Sequence, residues 1–566
     1  MEYEAEQVAV GWFVQFLRRW KAWLILAALV IVAFLFRCLH LNDPNHYFII
    51  SPDSYFFHWA AQGIMAGEPP PSYPGGESAY ALHSGLSYPL AYIAKAVSAI
   101  FHLSSAQALD AVCKFLPPVL GVISLIMVYL VAAKLYDRRV GLFSAFAWAL
   151  MLQAVFIGAG GYLDRDGLSA MLILIGVMLF YLSRNWRFHI GERDVGWLVA
   201  VLVIFVVEAL LYLEWSFMGP VLLLAILVVY SVVQILAGYF LGTQKELDTK
   251  RRLAAAVNAV NWRTFAVIIG VSIVILAASP QGSEWVKYSW GLVRGGGQSG
   301  VQELQGLSFR DLLVYNIFLI PMVLALYLAW KKRSSTDIFL ACWFLVLLVL
   351  SLFSKRVLFY GAPAACLLIG VGLSSIWEWK SRDAVQGLKK FGVVVLFFLL
   401  ILVSFVTSTS LATSGLQAPD QDWQNGLRYL REETPGNSIV MTQWGWGYWI
   451  LDLGQRRPVV DNGYYSYNSD SLRDVGLAYA TTEPSEAVQI MKKYGAAYIV
   501  FSKVDLDFAG TIMGWAGLGE DNKEFPNDSL IVRSLNGKFE SGGGLEVIYR
   551  SEPNKQVVIL GLTKGM

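Results

Sequence analysis

Two carboxylates and a guanidinium lie within a few residues of each other between two long apolar segments, in the stretch Gly161-Tyr162-Leu163-Asp164-Arg165-Asp166-Gly167. Ionisable groups beside an apolar segment cost free energy unless they contact water, a partner or a metal. Asp164 and Asp166 are two positions apart and cannot share one helix face, so the pattern predicts a tight loop that directs both acids at one place. The flanking glycines allow close backbone approach. We therefore expect this loop to form the middle of a divalent-metal site.

Three other charged residues, in separate segments, could join that site. Asp53 follows the first apolar segment, where it could equally cap the helix that begins after Pro52. Glu303 lies in the glycine-rich stretch Arg294–Gly306, whose composition predicts a mobile lid, and viewed alone it is an ordinary loop acid. Arg356 stands at the end of an apolar segment, where we expect it to meet an anion such as a lipid phosphate.

The types of ligand in this candidate site indicate which metal ion it would bind. Carboxylate oxygens suit Mg²⁺ or Mn²⁺ better than zinc. Of the six histidines, His58 and His83 are the strongest competitors for a site role, although an isolated histidine is more often structural. The four cysteines lie in or beside apolar segments, and their spacing suggests neither a disulfide framework nor a zinc site.

The elements that must position these residues are membrane helices. The chain has 566 residues, of which 56% are hydrophobic and 15% charged, with a mean hydropathy of +0.52. Repeated apolar runs of about 20 residues are typical of bilayer spans. The net charge of +2 gives no reason to expect a nucleic-acid partner. The segment Met1–Lys21 leads into an apolar run without a cleavage-type site, which predicts a signal anchor.

Hydropathy predicts eleven spans. They lie near residues 22–38, 112–134, 139–157, 168–184, 196–213, 217–241, 264–280, 311–330, 337–353, 357–377 and 391–411. The basic clusters fall in alternate loops, which the positive-inside rule assigns to the cytoplasm. The loops 39–111, 158–167 and 281–310, together with everything after about residue 412, are then extracytoplasmic. All the acids singled out above lie on that side of a multi-pass cell-membrane protein.

Beyond the last span the composition becomes mixed. Strand-like runs occur at Ser438–Met441, Ala497–Phe501, Leu545–Tyr549 and Gln556–Leu560, with a helical pattern over Pro484–Tyr494. About 150 residues suffice for a separate core. We therefore predict a transmembrane domain over residues 1–412 and an extracytoplasmic α/β domain over residues 413–566.

The order of these motifs resembles that of a known family. An outer-loop Asp is followed by a Gly-Tyr-x-Asp-x-Asp loop, a Glu, and an Arg before the apolar Ala362-Pro363-Ala364-Ala365. Trp444-Gly445-Trp446-Gly447-Tyr448-Trp449-Ile450 then opens the C-terminal domain, and Val459-Val460-Asp461-Asn462 follows. This order, over nearly the whole chain, resembles the catalytic subunit of oligosaccharyltransferase, most closely the archaeal single-subunit type.

The resemblance implies a GT-C membrane fold, usually of 13 spans, and a single-subunit enzyme. It implies en bloc transfer of a glycan from a lipid-linked oligosaccharide, on a dolichol phosphate or pyrophosphate, to Asn in Asn-X-Ser/Thr of an acceptor polypeptide. Transferred residue by residue, it implies that Asp53, Asp164 and Asp166 hold the metal. It also implies that Asp53 and Glu303 activate the acceptor amide and that Arg356 contacts the donor phosphate.

One family motif is altered in this chain. The family signature is Trp-Trp-Asp-Tyr-Gly, whereas this chain has Gln443-Trp444-Gly445-Trp446-Gly447. In the family this pocket holds the Ser/Thr hydroxyl two residues after the acceptor Asn. Here either Gln443 with Trp444 supplies those contacts, or a neighbour such as Asp452 does. The second half of the pocket is expected near Asp505–Met513, with Met513 as its candidate, and no lysine there fits the pattern.

Three alternatives remain at this point. A different GT-C transferase could move sugar from a lipid phosphate to Ser/Thr or to a lipid, but this would not explain the tryptophan-rich motif. A secondary transporter would need charges at mid-span and paired half-helices. Finally, an interfacial aromatic belt could explain the tryptophans, but the alternating glycines argue against it. The chain also contains an acceptor-type sequence of its own, Asn527-Asp528-Ser529.

Overall fold

The computed structural model describes residues 21–42, 51–68, 86–164, 167–168, 170–176, 189–190, 193–194, 218–241, 249, 251, 270, 318–332, 334–353, 355, 357–378, 392, 395, 398–403, 405–406, 418–462, 469–519, 524–552, 554 and 556–563. Asp166, Glu303, Arg356 and the predicted lid Arg294–Gly306 lie outside these ranges, as do the predicted span 196–213 and nearly all of 264–280.

The chain divides into two compact units. The first unit comprises Met1–Leu39, Pro117–Ala159 and Arg165–Ser414. The second comprises His40–Leu116, Gly160–Asp164 and Gly415–Met566. The second unit thus combines the C-terminal domain with two segments that precede it by several hundred residues, and those two segments carry Asp53 and Asp164.

Helices dominate the described residues up to 378. Within the ranges above they are α1 (Lys21–Cys38), α2 (Pro52–Ala66), α3 (Ser87–Phe101), α4 (Ser105–Leu135), α5 (Arg138–Leu150), α6 (Leu152–Phe156), α7 (Met218–Leu241), α8 (Leu319–Lys332), α9 (Ser335–Ser351), α10 (Val357–Tyr360) and α11 (Ala362–Glu378). A short antiparallel pair, β1 (His189–Ile190) and β2 (Arg193–Asp194), lies between α6 and α7.

The helices of the first unit have the character of membrane spans. In the part of the chain with described coordinates, α1 and α4 are long and apolar enough to cross a bilayer. Shorter apolar helices cover Ala225–Leu236, Thr336–Ser351 and Ala362–Glu378. Large apolar side chains remain exposed on α1 and α8, among them Ile31 at 60% and Trp330 at 74%. Outward-facing apolar side chains on helices that satisfy their own backbone hydrogen bonds are what a lipid environment requires.

Two predicted spans are interrupted. The span predicted over residues 139–157 is wrong as a single helix, because α5 ends at Leu150 and Met151 adopts an extended conformation before α6. The buried Arg37 explains this break, since its guanidinium donates to the carbonyls of Trp148 at 3.2 Å and Ala154 at 2.8 Å. The span predicted over 357–377 is likewise divided, into α10 and α11, at Gly361.

Helix α4 begins earlier than its predicted span. The loop predicted over residues 39–111 is wrong at its end, because α4 starts at Ser105 and includes Asp110. A reciprocal capping box explains the start: the Gln107 N–H donates to Ser104 Oγ at 3.3 Å, and the Ser104 N–H donates to Gln107 Oε1 at 3.1 Å. Asp110 therefore lies on a helix and not in a loop, in the first part of α4, which belongs to the second unit.

The C-terminal domain is the predicted α/β domain. Its helices are α12 (Gln421–Glu433), α13 (Gly447–Asp452), α14 (Ser469–Ala480), α15 (Pro484–Lys493), α16 (Val504–Asp507), α17 (Ala509–Trp515) and α18 (Leu530–Leu535). Its strands are β3 (Ile439–Met441), β4 (Arg457–Pro458), β5 (Ala496–Ser502), β6 (Ser541–Gly542), β7 (Leu545–Arg550) and β8 (Val557–Leu562). Every strand and helix predicted there is confirmed to within about two residues.

The sheet order determines where the candidate site forms. The strands run β4-β3-β5-β8-β7-β6, with β4, β3 and β5 parallel and the remaining pairs antiparallel. Ligands of open α/β sheets bind beyond the carboxyl ends of parallel strands. The chain leaves β3 at Gln443, passes Asn462 after β4, and reaches Asp505 after β5. These three residues therefore lie beyond the same edge of the sheet.

Candidate functional site

Asp53 lies in the first turn of α2 and is half-buried. Pro52 occupies the start of the helix, and Ser51 is the N-cap residue, without a side-chain capping bond. The capping alternative for Asp53 is therefore wrong. Instead, the carboxylate accepts a 3.1 Å hydrogen bond from the Asn462 side-chain amide.

The loop that carries Asp164 is attached to α2 beside Asp53. Gly161 has φ +73°, a left-handed conformation that glycine adopts freely, and its N–H donates to Lys114 O at 3.0 Å. The Leu163 N–H donates to the buried hydroxyl of Ser54 at 2.9 Å. Because Ser54 follows Asp53 and Leu163 precedes Asp164, this one bond brings together the segments that carry the two acids. The Asp164 carboxylate also accepts a 3.4 Å bond from the Tyr162 hydroxyl.

These two acids fit part of the predicted metal site. They supply hard carboxylate oxygens, which suit Mg²⁺ or Mn²⁺. Within the described part of the chain, however, no three His, Cys, Asp or Glu side chains form a group that could hold a metal. Asp166, the third predicted ligand, lies outside that part, so the metal site stays a prediction.

The altered motif follows β3 directly. The Gln443 N–H donates to Tyr479 Oη at 2.7 Å, and Gln443 Oε1 accepts from the Gly445 N–H at 2.6 Å. A Cβ at Gly445 would lie 2.8 Å from Gln443 Oε1. The Gln443 carboxamide therefore occupies the space into which a side chain at 445 would project. Gly447 is required for a different reason, since a Cβ there would collide with Val460 and Asp461.

The tryptophans of the motif pack inside the domain, with no sign of an exposed belt. Trp446 is buried, stacks on Trp449 with ring centroids 4.6 Å apart, and donates its indole N–H to Asp505 at 2.6 Å. Trp444 is half-buried and makes an edge contact with Trp515 on α17, the helix that also carries the buried Met513. The predicted stretch Asp505–Met513 and the motif thus lie against each other.

Asp505 has an unusual environment for a carboxylate. It is fully buried, and burial raises its pKa to about 7, although hydrogen bonds from Trp446 and the Ser502 N–H oppose the rise. Among the described contacts, Asp505 is the side-chain acceptor of the Trp446 indole N–H. Its carboxylate therefore positions Trp446.

A buried ionic cluster, which the sequence motifs do not identify, lies next to these elements. His58 Nδ1 is 2.9 Å from each carboxylate oxygen of Asp452, and His58 Nε2 is 3.1 Å from Asp110 Oδ1. Burial alone would lower the pKa of His58, but Asp452 and Asp110 together outweigh burial and raise it to about 10. The imidazole is therefore protonated at neutral pH.

The contacts of this cluster also bear on Asp452, one of the two alternatives predicted for the altered motif. The Asp452 side chain is 1% exposed and both its oxygens face His58. Both oxygens of Asp452 are therefore engaged by His58, and the choice between the two alternatives stays a prediction. The signals that could have indicated the cluster are a single acid, Asp110, in an apolar helix and a histidine five residues after Asp53 on the same helix.

No protein-family model matches the chain. The chain does match individual relatives. Over 231 residues the chain is 26% identical to the STT3 subunit of the dolichyl-diphosphooligosaccharide–protein glycosyltransferase of Dictyostelium discoideum, covering 36% of this chain and 30% of that protein. Over 530 residues it is 22% identical to dolichyl-phosphooligosaccharide–protein glycotransferase 3 of Archaeoglobus fulgidus, covering 73% of this chain and 60% of that protein. The chain is similar to oligosaccharyltransferase catalytic subunits.

Solved structures agree on the fold of this oligosaccharyltransferase-like chain. An archaeal oligosaccharyltransferase from Archaeoglobus fulgidus, in complex with an inhibitory peptide and a dolichol-phosphate, matches 95% of this chain and 80% of that chain with a TM-score of 0.73 at 14% identity. ArnT from Cupriavidus metallidurans, bound to undecaprenyl phosphate, matches with a TM-score of 0.53 at 12% identity. The predicted fold class, a helical GT-C membrane protein with a C-terminal α/β domain, is confirmed. The chain spans about a third or less of the length of the first relatives it matches.

Proposed function

We propose that this chain is an oligosaccharyltransferase that moves a glycan en bloc from a dolichol phosphate or pyrophosphate carrier to Asn in Asn-X-Ser/Thr acceptors. The observation that carries this proposal is the convergence of Asp53, the loop of Asp164 and Asn462 through two hydrogen bonds within one unit. The altered tryptophan motif belongs to the same unit. Relatives named as glycotransferases and the shared fold support the assignment.

The acids would act on the acceptor amide. An amide nitrogen is a poor nucleophile because its lone pair is delocalised into the carbonyl. Asp53 and Glu303 would accept hydrogen bonds from the two amide N–H groups and weaken that conjugation. Arg356 would contact the leaving phosphate through charge-assisted hydrogen bonds. The segment that ends at Glu303 would close over the peptide and exclude water.

The cation would be Mg²⁺ or Mn²⁺, bound by Asp53, Asp164 and Asp166. When bound, it would supply Lewis-acid stabilisation of charge on the leaving phosphate. The contribution of the chain is to hold the acids: Asn462 orients Asp53, and Ser54 fixes the loop before Asp164. We expect Gln443, Trp444, Gly445, Trp446 and Met513 to contact the acceptor sequence. We also propose that the site faces the extracytoplasmic side and that a single subunit suffices.

The test uses the purified full-length chain, a lipid-linked oligosaccharide extract and a fluorescent Asn-X-Thr peptide. We expect a glycopeptide that is absent with Gln-X-Thr, is lost with chelator, and returns with Mn²⁺ or Mg²⁺. Asp164→Ala should abolish the response to metal, and Glu303→Gln should reduce turnover far more than peptide affinity. Asp470→Asn, an exposed acid on α14, is the matched control and should retain activity. No glycopeptide from the wild-type chain with any lipid extract would overturn the proposal.

A second candidate function is transfer of a sugar from a lipid phosphate to a Ser/Thr or lipid acceptor. The match to ArnT, which covers 98% of this chain and 99% of that chain, favours it at the level of fold. A peptide with Ser and Thr but no Asn separates the two functions, because only the second candidate would modify it.

A further inference from the structure

We propose that His58 is a positioning residue that fixes α2, and with it Asp53, against the helix that follows the tryptophan motif. This role concerns the same site as the proposed function, and its activity test rests on that function. It is carried by a set of contacts between α2 and α13, both in the second unit.

The two helices meet through aromatic side chains flanked by polar contacts. Tyr55 makes an edge contact with Trp449, with centroids 6.2 Å apart, and Phe56 packs on Tyr448 at 5.1 Å. Aromatic contacts of this kind allow neighbouring rings to slide, since apolar packing has little directionality. Directional contacts must therefore fix how α2 lies along α13.

His58 supplies such a contact. It lies on α2 three residues beyond Tyr55, and its Nδ1 is 2.9 Å from Asp452 at the last residue of α13. On its other side, Nε2 is 3.1 Å from Asp110 on α4. One imidazolium thus joins three helices that are distant in sequence. Its rigid ring, with donors on two edges, holds both acids at defined angles.

Because this cluster is buried, the contact between His58 and Asp452 depends on the position of α2. The His58 side chain is 7% exposed and that of Asp452 is 1% exposed. A buried carboxylate without its cationic partner is strongly unfavourable, so Asp452 cannot remain in place if α2 moves away. Asp110 adds a second negative charge to the cluster, and its side chain is 42% exposed, so solvent can screen that charge.

The motif itself is held independently of His58. Gln443 is bonded to Tyr479 on α14, and Trp446 is bonded to Asp505 after β5. If the cluster is broken, the motif should stay with the sheet while α2 shifts. Asp53 would then be displaced from Asn462 and from the segment of Asp164. Loss of His58 should therefore impair the chemical step and leave binding of the acceptor peptide nearly intact.

The experiment compares His58→Gln, Asp452→Asn and the double variant in the full-length chain. We expect His58→Gln to lower kcat for the Asn-X-Thr peptide by about 10- to 100-fold, which is the usual effect of losing a residue that orients a site ligand. KM should be nearly unchanged. The double variant should recover part of this loss, because two neutral amides replace an unpaired buried charge. Arg456→Gln is the matched control for lost stability, because it removes buried hydrogen bonds in the same unit, which the guanidinium donates to Thr434, Gln455 and Arg431.

Amide hydrogen exchange provides a readout that needs no activity. In His58→Gln, exchange should accelerate in Pro52–Ala66, while β3 serves as an internal reference and should not change. If the wild-type chain transfers no glycan but exchange in α2 responds in this way, the proposed function fails and the positioning role stands. If His58→Gln transfers glycan at the wild-type rate, or loses no more than Arg456→Gln with the same exchange pattern, the positioning role is overturned.

Discussion

The side-chain amide of Asn462 donates a hydrogen bond to the carboxylate of Asp53 over 3.1 Å, although 409 positions separate the two residues in the chain. Asp53 lies in the first turn of α2, and Asn462 follows β4 by four residues. The bond therefore joins the N-terminal part of the second unit to the α/β domain. It also orients one oxygen of the Asp53 carboxylate.

Changes at Asn462 should impair activity in a defined order. Asn462→Ala removes a hydrogen bond to a charged group, which contributes about 1.5–3 kcal/mol and corresponds to a rate loss of roughly 10- to 100-fold. Asn462→Asp should be worse, because a second carboxylate then faces Asp53. Initial rates at saturating donor test this order, with the exposed Asn536→Asp as control. Full activity of Asn462→Asp would contradict it.

Ser54 should affect the site through the loop of Asp164. Ser54→Ala leaves the buried Leu163 N–H without its acceptor, which we expect to cost about 1–3 kcal/mol of unfolding free energy and to lower glycan transfer. Ser87→Ala is a matched control, because Ser87 is equally buried and its hydroxyl has no hydrogen-bond partner among the described residues. Thermal unfolding and transfer rates should separate the two variants, and equal behaviour would show that the Ser54 bond does not hold the loop.

The sequence predicts the elements of this fold better than their ends. Apolar runs locate most membrane helices, and alternating strand patterns locate β5, β7 and β8. The start of α4 was missed because hydropathy counts the polar residues Ser105, Gln107 and Asp110 against a membrane span. The capping box of Ser104 and Gln107 gives the correct start, so here local chemistry was the better guide.

The site could be predicted only in part. The positive-inside rule and the family resemblance lead to Asp53 and Asp164, and the structure places their segments together. No local pattern predicts that His58 pairs with Asp452, 394 positions away. The pairing depends on how α2 packs on α13, which the fold of the whole unit determines.

His58 should make stability depend on alkaline pH. Its pKa rises from 6.5 to about 10 on folding, so its stabilisation is fully present below 6.5 and is lost as the pH rises through about 10. The charged groups that face it are Asp452 on α13 and Asp110 on α4, and the buried thiol of Cys113 on α4 lies near the same two acids. Unfolding should be followed for the wild type and His58→Gln between about pH 6 and 10.5, and the difference should shrink with increasing pH. A difference that is constant over this range would mean that His58 is neutral in the folded chain.

Asn527 should not be an acceptor in the folded chain. Asn527 is exposed, but Ser529 is fully buried at the start of α18, and its N–H closes a turn onto Pro526 O at 2.9 Å. An acceptor site that reads the hydroxyl of Ser or Thr cannot reach it. We expect mass spectrometry to find no glycan on Asn527 after incubation of folded protein with donor, whereas a synthetic peptide of residues 524–531 should be modified. The peptide with Gln in place of Asn527 is the negative control, and a glycan on the folded protein would contradict the prediction.

Gly445→Asp should be unfavourable alone and tolerated together with a change at Gln443. By the family resemblance, an acid at 445 would hold the Ser/Thr hydroxyl, but a Cβ there would lie 2.8 Å from Gln443 Oε1. Gln443 is buried and bonded to the Gly445 N–H, so its side chain can leave only by breaking that bond. Overpacking of this kind costs about 1–3 kcal/mol.

The double variant Gln443→Ala/Gly445→Asp provides the space for the acid. We expect it to recover most of the lost stability and to lower KM for the Asn-X-Thr peptide below that of Gly445→Asp. Gly436→Asp, in a turn where a Cβ would meet nothing within 4 Å, controls for the added charge. Thermal unfolding and peptide kinetics of these variants test the prediction. If Gly445→Asp alone is as stable and as active as Gly436→Asp, Gln443 does not fill the place of the missing acid.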